Sequence, residues 1–301
     1  MDSTIKEKHL LEPYTYLLQH PGKDIRSKLI DAFDIWLDVP KYELKVIKEV
    51  IEMLHTSSLL IDDVEDDSEL RRGVPVAHKI FGIPSTISCA NYVYFIALQK
   101  LLDLKNFNLI TIYTDELLNL HRGQGMEIYF RDSSICPTED DYMDIVSNKT
   151  GGLLRLGVKL MEELSTTNKL NGKYVDLANT IGEYYQIRDD YSNLLSETYK
   201  NNKGFCEDIT EGKYSYPIIH CIKNHPESHQ LEKIIRQKTS NVELKTYCIK
   251  LMRESHSFEY TKQKLISIEE KMKNQIDNLG GNAILIKMID ELSKIYKEED
   301  K

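Results

Sequence analysis

Apolar residues recur three and four apart along most of the chain, the spacing of one face of an α-helix. From Tyr42 to Ile61 the positions Leu44, Ile47, Ile51, Leu54 and Ile61 keep this period, with Ser58 in the gap. They predict a long, largely buried helix starting near Lys41, just after Val39-Pro40 ends the helix before it. Glu12-Pro13 opens a short helix over Tyr14–Leu18, and His20-Pro21-Gly22 is a turn. Thr86–Leu102 is apolar on nearly every side (Ala90, Val93, Tyr94, Phe95, Ile96, Leu98), which predicts a helix central to the core or to a subunit seam. Further helices are expected over Asn106–Ile128, from a start signal at Cys136–Asp141, over Tyr174–Leu195 and from Pro217, with later breaks at Ser255–Ser257 and Gly280-Gly281. No stretch alternates as a strand does, no short repeat is present, and no linker is long enough to separate domains. The expected fold is a single all-α bundle of roughly ten or more helices.

The period breaks at Leu59–Gly73, LLIDDVEDDSELRRG, where Asp62, Asp63, Glu65, Asp66 and Asp67 crowd the end of the long helix and Arg71 and Arg72 follow. Asp62 and Asp66 are four apart and share a helix face, so their carboxylates repel. A hard divalent cation relieves that repulsion; Mg²⁺ takes one or two carboxylates together with substrate phosphate. The arginines add forked donors suited to phosphate oxygens. Taken alone, such a run also fits a solvated acidic loop. A second acid pair changes the balance: Gln186-Ile187-Arg188-Asp189-Asp190-Tyr191-Ser192-Asn193 again follows an apolar helical run. Lys23 and Arg26 stand at a helix start, where free N–H groups favour phosphate, though an ordinary basic first turn reads the same way. His55, two turns before Asp62, is a core histidine or part of the same face. Ser57 and Ser58 are small polar residues below the acids; they allow close packing or leave space. Gly123 and Gly125, and the pair after Lys149-Thr150, Gly151-Gly152, suit close approach of backbone or ligand.

Composition narrows the classes. The chain has 301 residues, 41% apolar and 29% charged, as in a globular protein with a sizeable core. Its formal charge of −9 argues against a nucleic-acid surface, so any phosphate must be held by local cations. Five cysteines without a CxxC pair read as reduced thiols, not as a disulfide frame or zinc site. MDSTIKEKHLLEPY has no secretory apolar core and no apolar run reaches spanning length, so a cytoplasmic protein without a membrane span is expected.

The ordered set LLEPYTYLLQHPGK, MLHTSSLLIDDVEDDSELRRG, PVAHKIFGIPS, HRGQGMEIYFRD, KTGG, YYQIRDDYSN and GFCEDITEGKYSYPIIH resembles the trans-isoprenyl diphosphate synthase family, and within it the animal geranylgeranyl-forming members. The resemblance covers nearly the whole chain. It implies one polyprenyl synthase domain over residues 1–301, an isoprenoid-synthase-type helical bundle around a deep central cavity, and condensation of an allylic diphosphate with isopentenyl diphosphate. Asp62, Asp66 and Asp189 would hold Mg²⁺, up to three ions bound with the substrate diphosphate. Arg71, Lys149, Thr150, Gln186, Lys203 and Lys213 would grip the allylic diphosphate; Asp62, Asp66, Arg71, Lys149 and Lys213 would carry catalysis. Lys23, Arg26, His55 and Arg72 would hold isopentenyl diphosphate, while Glu211 and Gly212 resemble framework. A homodimer or higher homo-oligomer is implied, with Thr86–Leu102 as a seam. Within the same family a terpene synthase that uses no isopentenyl diphosphate is an alternative, and a catalytically silent regulatory subunit is another.

Three features depart from the pattern: Asn193 where many relatives have Asp, Glu127 where some have Asp, and the charges of Arg155 and Glu183 at places that tend to be small or apolar in animal members. Arg155 and Glu183 are expected to pair. Ser57 and Ser58 stand where bulky aromatics in relatives stop the product at fifteen carbons, so a twenty-carbon product is expected. Ser58→Phe should therefore shorten the product, as read by chromatography of the dephosphorylated prenyl alcohols; an unchanged product would place the floor elsewhere, for instance on Ala90–Leu98.

Overall fold

The computed structural model describes residues 3–22, 24–167, 172–195, 204–225 and 229–297, with side chains from residue 6 onward. Among the described residues, fifteen helices and one two-residue β-ladder make up the regular structure. The expected all-α class holds. Contacts gather into two compact units, Met1–Asp115 with Leu156–Lys169, and Glu116–Arg155 with Leu170–Lys301.

The first unit contains α1 (Ser3–Leu10), α2 (Glu12–Leu18), α3 (Ile25–Leu37), α4 (Lys41–Glu65), α5 (Ala77–Phe81) and α6 (Ile83–Leu102). The long helix α4 starts directly after Pro40, whose φ of −54° and ψ of 138° place it just outside the helix. Its buried stripe Val46, Ile47, Val50, Ile51, Leu54, Ser57 and Leu60 shares Ile47, Ile51 and Leu54 with the predicted one, while Leu44, Ser58 and Ile61 are half-buried. It packs on α6, which offers the small residues Cys89, Ala90, Val93 and Ala97 and so lets the two backbones come close. Within this unit α6 is one-sided rather than apolar-buried all round: Ile87, Tyr92, Leu102 and above all Phe95, 70% exposed, lie on its open face. The last carbonyls of α3, left without helical partners, are capped by three successive hydroxyls: Ser165 donates to Leu37 O, Thr166 to Asp38 O and Thr167 to Trp36 O.

In sequence, Gly73–Phe81 and Gly82–Ser85 read as a connection. In the structure α5 fills Ala77–Phe81 and α6 starts at Ile83, and a hairpin precedes them, with β1 (Leu70–Arg71) paired antiparallel to β2 (Val74–Pro75). Its two-residue turn has Arg72 at φ 57° and Gly73 at φ 80°, the doubly left-handed form that matches strand twist. Two-residue strands are too short for a period-2 pattern to be visible.

The second unit holds most of α7 (Phe107–Asp132) and α8 (Glu139–Leu164), then α9 (Lys173–Leu195), α10 (Glu207–Glu211), α11 (Tyr216–Asn224), α12 (His229–Ile235), α13 (Val242–Glu254), α14 (Ser257–Asn278) and α15 (Ala283–Lys297). Helix α9 is buried on almost every side and packs on α10, α11 and α14. Its polar groups are met from the C-terminal helices: Arg188 Nε donates to Leu292 O at 2.8 Å, and Tyr184 and Tyr296 share a hydroxyl contact of 2.9 Å. Close approach explains two of the glycines. A Cβ on Gly123 would lie 2.6 Å from Lys149 N, and one on Gly182 would lie 2.6 Å from Gly151 Cα. Gly125 meets nothing within 4 Å, and its presence has no packing explanation.

Two helix glycines should thus respond oppositely to alanine. Gly182→Ala forces α8 and α9 apart and should cost about 1–3 kcal/mol in urea unfolding. At Gly157 a Cβ meets only Ile51 and Ile30 at 3.6–3.8 Å, so Gly157→Ala should be neutral or gain about 0.5–1 kcal/mol from helix propensity.

Candidate active site

The acids at the end of α4 do not act alike. Asp63 turns inward and is buried. It accepts from Arg71 Nε at 2.8 Å and also from Arg71 Nη2, while Nη2 reaches Asp62 Oδ2 at 3.1 Å. Arg71 is itself buried, delivered by the β-hairpin. Asp62 and Asp66 remain half-buried, one turn apart, with Asp66 N–H bonded to Asp62 O at 2.9 Å. Burial first, then Tyr113 and the acids Glu65 and Asp62, pushes the hydroxyl pKa of Tyr94 of α6 up.

Two turns earlier on α4, His55 Nε2 accepts from Arg26 Nη1 at 3.0 Å. Desolvation lowers the imidazole pKa well below its ordinary value, and Arg26, Arg72 and Arg71 lower it further; Asp62 opposes them. Arg26, Arg72 and Arg71 thus all disfavour charge on His55, and Arg26 bonds it directly. Arg72 is fixed from the turn after α2, donating through Nη1 to His20 O at 2.6 Å. Gly22 makes room for it, since a Cβ there would lie 3.0 Å from Arg72 Nη2. Lys23, read with Arg26 as a phosphate clamp, lies outside the described residues. Of the two serines below the acids, Ser57 is fully buried with no hydrogen-bond partner for Oγ, and Ser58 is half-buried and donates to His55 O at 2.8 Å.

The second unit assembles another set. Glu127 of α7 accepts from Lys149 Nζ and lies 3.4 Å from Lys213 Nζ. Burial alone would lower the Lys213 pKa, but Glu127, Asp208, Asp190 and Glu211 outweigh it and hold the ammonium charged. Thr150 donates to Gln186 Oε1, and Gln186 Nε2 donates to Asp190 Oδ1 at 2.7 Å. Asp190 also accepts from Tyr142 OH at 2.6 Å and Tyr216 N–H at 2.8 Å. Its carboxyl is fully engaged within the protein, and burial pushes its pKa up against the pull of Lys213. Neighbouring Asp189 is half-buried. Asn193 accepts from Asp208 N–H at 3.2 Å, the opening of α10, a bond that an amide side chain makes as well as a carboxylate. Gly212 is left-handed, φ 75°, at the end of α10. Lys203 lies outside the described residues.

Sequence reasoning passed over Asp63, Glu127, Tyr142 and Asp190 as working parts. Asp63 and Asp190 sit inside the acid pairs, and their inward turn depends on partners from other elements. Tyr142 carries no local signal. The expected pairing of Arg155 with Glu183 is overturned: Arg155 Nε donates to Glu116 Oε2 at 2.7 Å, and its remaining bonds go to Ser147 O and Asn179 Oδ1, both at 2.9 Å. Glu116 was the unseen candidate, because only packing shows it to be 1% exposed.

The donor set suits a hard cation. Among the described residues no three His, Cys, Asp or Glu side chains gather to cage a metal. Half-buried carboxylates at Asp62, Asp66 and Asp189 instead fit magnesium, which keeps few protein oxygens and completes its shell with water and phosphate.

An all-α fold with two acid-paired helices, each accompanied by engaged arginines or lysines, defines an isoprenoid-synthase-type enzyme. The chain matches the polyprenyl synthetase family over residues 7–252 and belongs to that family. It is 54% identical over 286 residues to a geranylgeranyl pyrophosphate synthase of Mucor circinelloides f. lusitanicus, covering 95% of this chain and 93% of that one. A geranylgeranyl pyrophosphate synthase of Fusarium fujikuroi is 51% identical over 296 residues, 96% of this chain and 70% of its own. A terpene synthase of Matsumurasca onukii is 47% identical over 291 residues, 97% and 95% of the two chains. No helix among the described residues is long and apolar enough to cross a membrane.

The state of His55 gives a pH test. Its folded pKa is depressed, so its contribution to stability is fully present above about 6.5, the unfolded value, and is lost as pH falls through the folded pKa. Between pH 7.5 and 5, the wild-type protein should lose more melting temperature than His55→Gln, which cannot take up a proton. Equal losses would mean His55 is not held neutral.

Proposed function

We propose that the protein is a magnesium-dependent prenyltransferase that condenses farnesyl diphosphate, or a shorter allylic diphosphate, with isopentenyl diphosphate to give geranylgeranyl diphosphate and free diphosphate. The observation that carries this reading is the placement of Arg26 and Arg72: Arg26 donates to His55 Nε2 at 3.0 Å and Arg72 is fixed on His20 O at 2.6 Å. Two fixed guanidinium groups beside an imidazole suit a second diphosphate, which a synthase needs and simple ionisation of one allylic substrate does not. The geranylgeranyl pyrophosphate synthase relatives support the same activity.

In this reading Asp62, Asp66 and Asp189 are the magnesium ligands, for up to three ions. Magnesium, when bound, neutralises charge on the departing diphosphate. Arg71, Lys149, Thr150, Gln186, Lys203 and Lys213 grip the allylic diphosphate and stabilise the charge that grows as its C–O bond breaks. Arg26, His55 and Arg72, with Lys23, hold isopentenyl diphosphate so that its double bond meets the allylic cation. A proton then leaves for the released diphosphate. The cation survives only where water is excluded; on this reading a deep apolar cavity excludes it, and the small side chains of Ser57 and Ser58 leave room for twenty carbons. The two units work as one polyprenyl synthase domain in a cytoplasmic protein, and the open apolar face of α6 is the seam of a homodimer or larger homo-oligomer.

The terpene synthase from Matsumurasca onukii favours a second reading, ionisation without isopentenyl diphosphate. One assay separates the two. Purified protein with Mg²⁺ and geranyl or farnesyl diphosphate should form a twenty-carbon diphosphate only when isopentenyl diphosphate is added. A hydrocarbon or alcohol formed without it would establish the second reading. Asp62→Asn should lower kcat by about 10²–10³, and chelation should abolish turnover reversibly.

A further inference from the structure

Arg155 lies on α8 five residues beyond Thr150, buried, with no place in the roles assigned above. Helix side chains lean toward the N-terminus, so Arg155 lies back over the positions three and four before it. Those positions are Gly152 and Gly151. The guanidinium nitrogens sit 3.9 and 3.8 Å from where Cβ atoms on these glycines would be. The missing side chains leave a trough along α8, and Arg155 fills it far enough to reach Ser147 O, two turns back, at 2.9 Å. From there Nε bonds Glu116 of α7 at 2.7 Å and Nη1 bonds Asn179 of α9 at 2.9 Å. One side chain thus ties three helices.

The contacts between α8 and α9 form an ordered, antiparallel seam. Arg155 meets Asn179, Gly151 meets Gly182, and Thr150 meets Gln186, which passes the contact on to Asp190. Asn179, Gly182 and Gln186 fall on one face of α9; Ser147, Thr150, Gly151 and Arg155 fall on one face of α8. Sliding either helix would break all three contacts together. A buried ion pair is seldom more stable than apolar packing of the same shape. Its directional bonds fix a register, which apolar side chains do less well.

We propose that Arg155, held by Glu116, is a positioning residue that sets the α8–α9 register and thereby the placement of Lys149, Thr150 and Gln186. The inference rests on the assignment of those three residues to the allylic diphosphate.

Steady-state kinetics of the full chain, with each substrate varied in turn and rates normalised to folded protein, test it. Arg155→Met should raise KM for the allylic diphosphate and lower kcat, each by about tenfold, as a misplaced binding group does. KM for isopentenyl diphosphate should stay within about twofold, because a shifted seam acts on one substrate's groups. That variant takes the Arg155 charge away from buried Glu116 and should melt about 5–10 °C lower. Two further variants separate position from stability. Arg155→Met with Glu116→Leu removes both charges and should restore the melting temperature but not the allylic KM. Arg155→Lys keeps the charge but not the fork, and should fall between wild type and Arg155→Met in allylic KM. Wild-type kinetics per folded molecule in the double variant, or in Arg155→Lys if the double variant does not fold, would overturn the proposal, as would an equal rise in both KM values. Absence of turnover by the wild-type chain would instead overturn the functional assignment.

Discussion

Arg71 meets Asp63 and Asp62 at the end of α4, and a similar engagement of charged groups recurs at several other points of the interior. Lys149 and Lys213 gather on Glu127, Arg155 bonds Glu116, and Asp190 is held by Tyr142, Gln186 and a backbone N–H. A buried charge left alone would cost several kcal/mol or lose its charge. Each of these carries its partners, so it is fixed in place. Preorganised charge is what diphosphate departure requires, because side chains that had to reorient during the reaction would forfeit much of their stabilisation. The constraint that keeps the fold stable and the one that makes the site useful are therefore the same.

Close backbone approach is the second constraint. Gly123 lets α7 touch α8 at Lys149, and Gly182 lets α9 touch α8 at Gly151. These contacts bring short side chains such as Thr150 within reach of Gln186. With ordinary side chains at those points the helices would stand farther apart, and a threonine could not span the gap. In the first unit the small residues of α6 play a similar role against α4. Helix spacing, set by residues that carry no chemistry, thus decides which polar groups can meet.

The acid pairs show how one motif divides its labour. Asp63 and Asp190 turn into the protein and are consumed in holding Arg71 and Gln186. Asp62, Asp66 and Asp189 keep partial access to solvent. A run of acids thus divides into partly accessible carboxylates and scaffold, and helical phase sorts one from the other. Asn193 continues the scaffold side: its amide oxygen caps α10, which explains why an acid is not needed there.

Apolar periodicity was sufficient for the long helices. The stripe of α4, its start after Pro40, and the breaks at Ser255 and Gly280 are local in origin and lie open in the sequence. The acid pairs, the arginines beside them and the KTGG run were visible for the same reason: spacing on a helix fixes which side chains share a face. What the chain could not disclose were relations across elements. The hairpin that delivers Arg71 is two residues a side, below the length at which a strand pattern forms. The choice of Glu116 over Glu183 for Arg155, the inward turn of Asp63, and Tyr142 as a support for Asp190 all depend on which helix arrives opposite. Sequence determines the phase of each helix about its own axis; tertiary packing decides the distance and register between helices, and a hydrogen bond exists only when both are right.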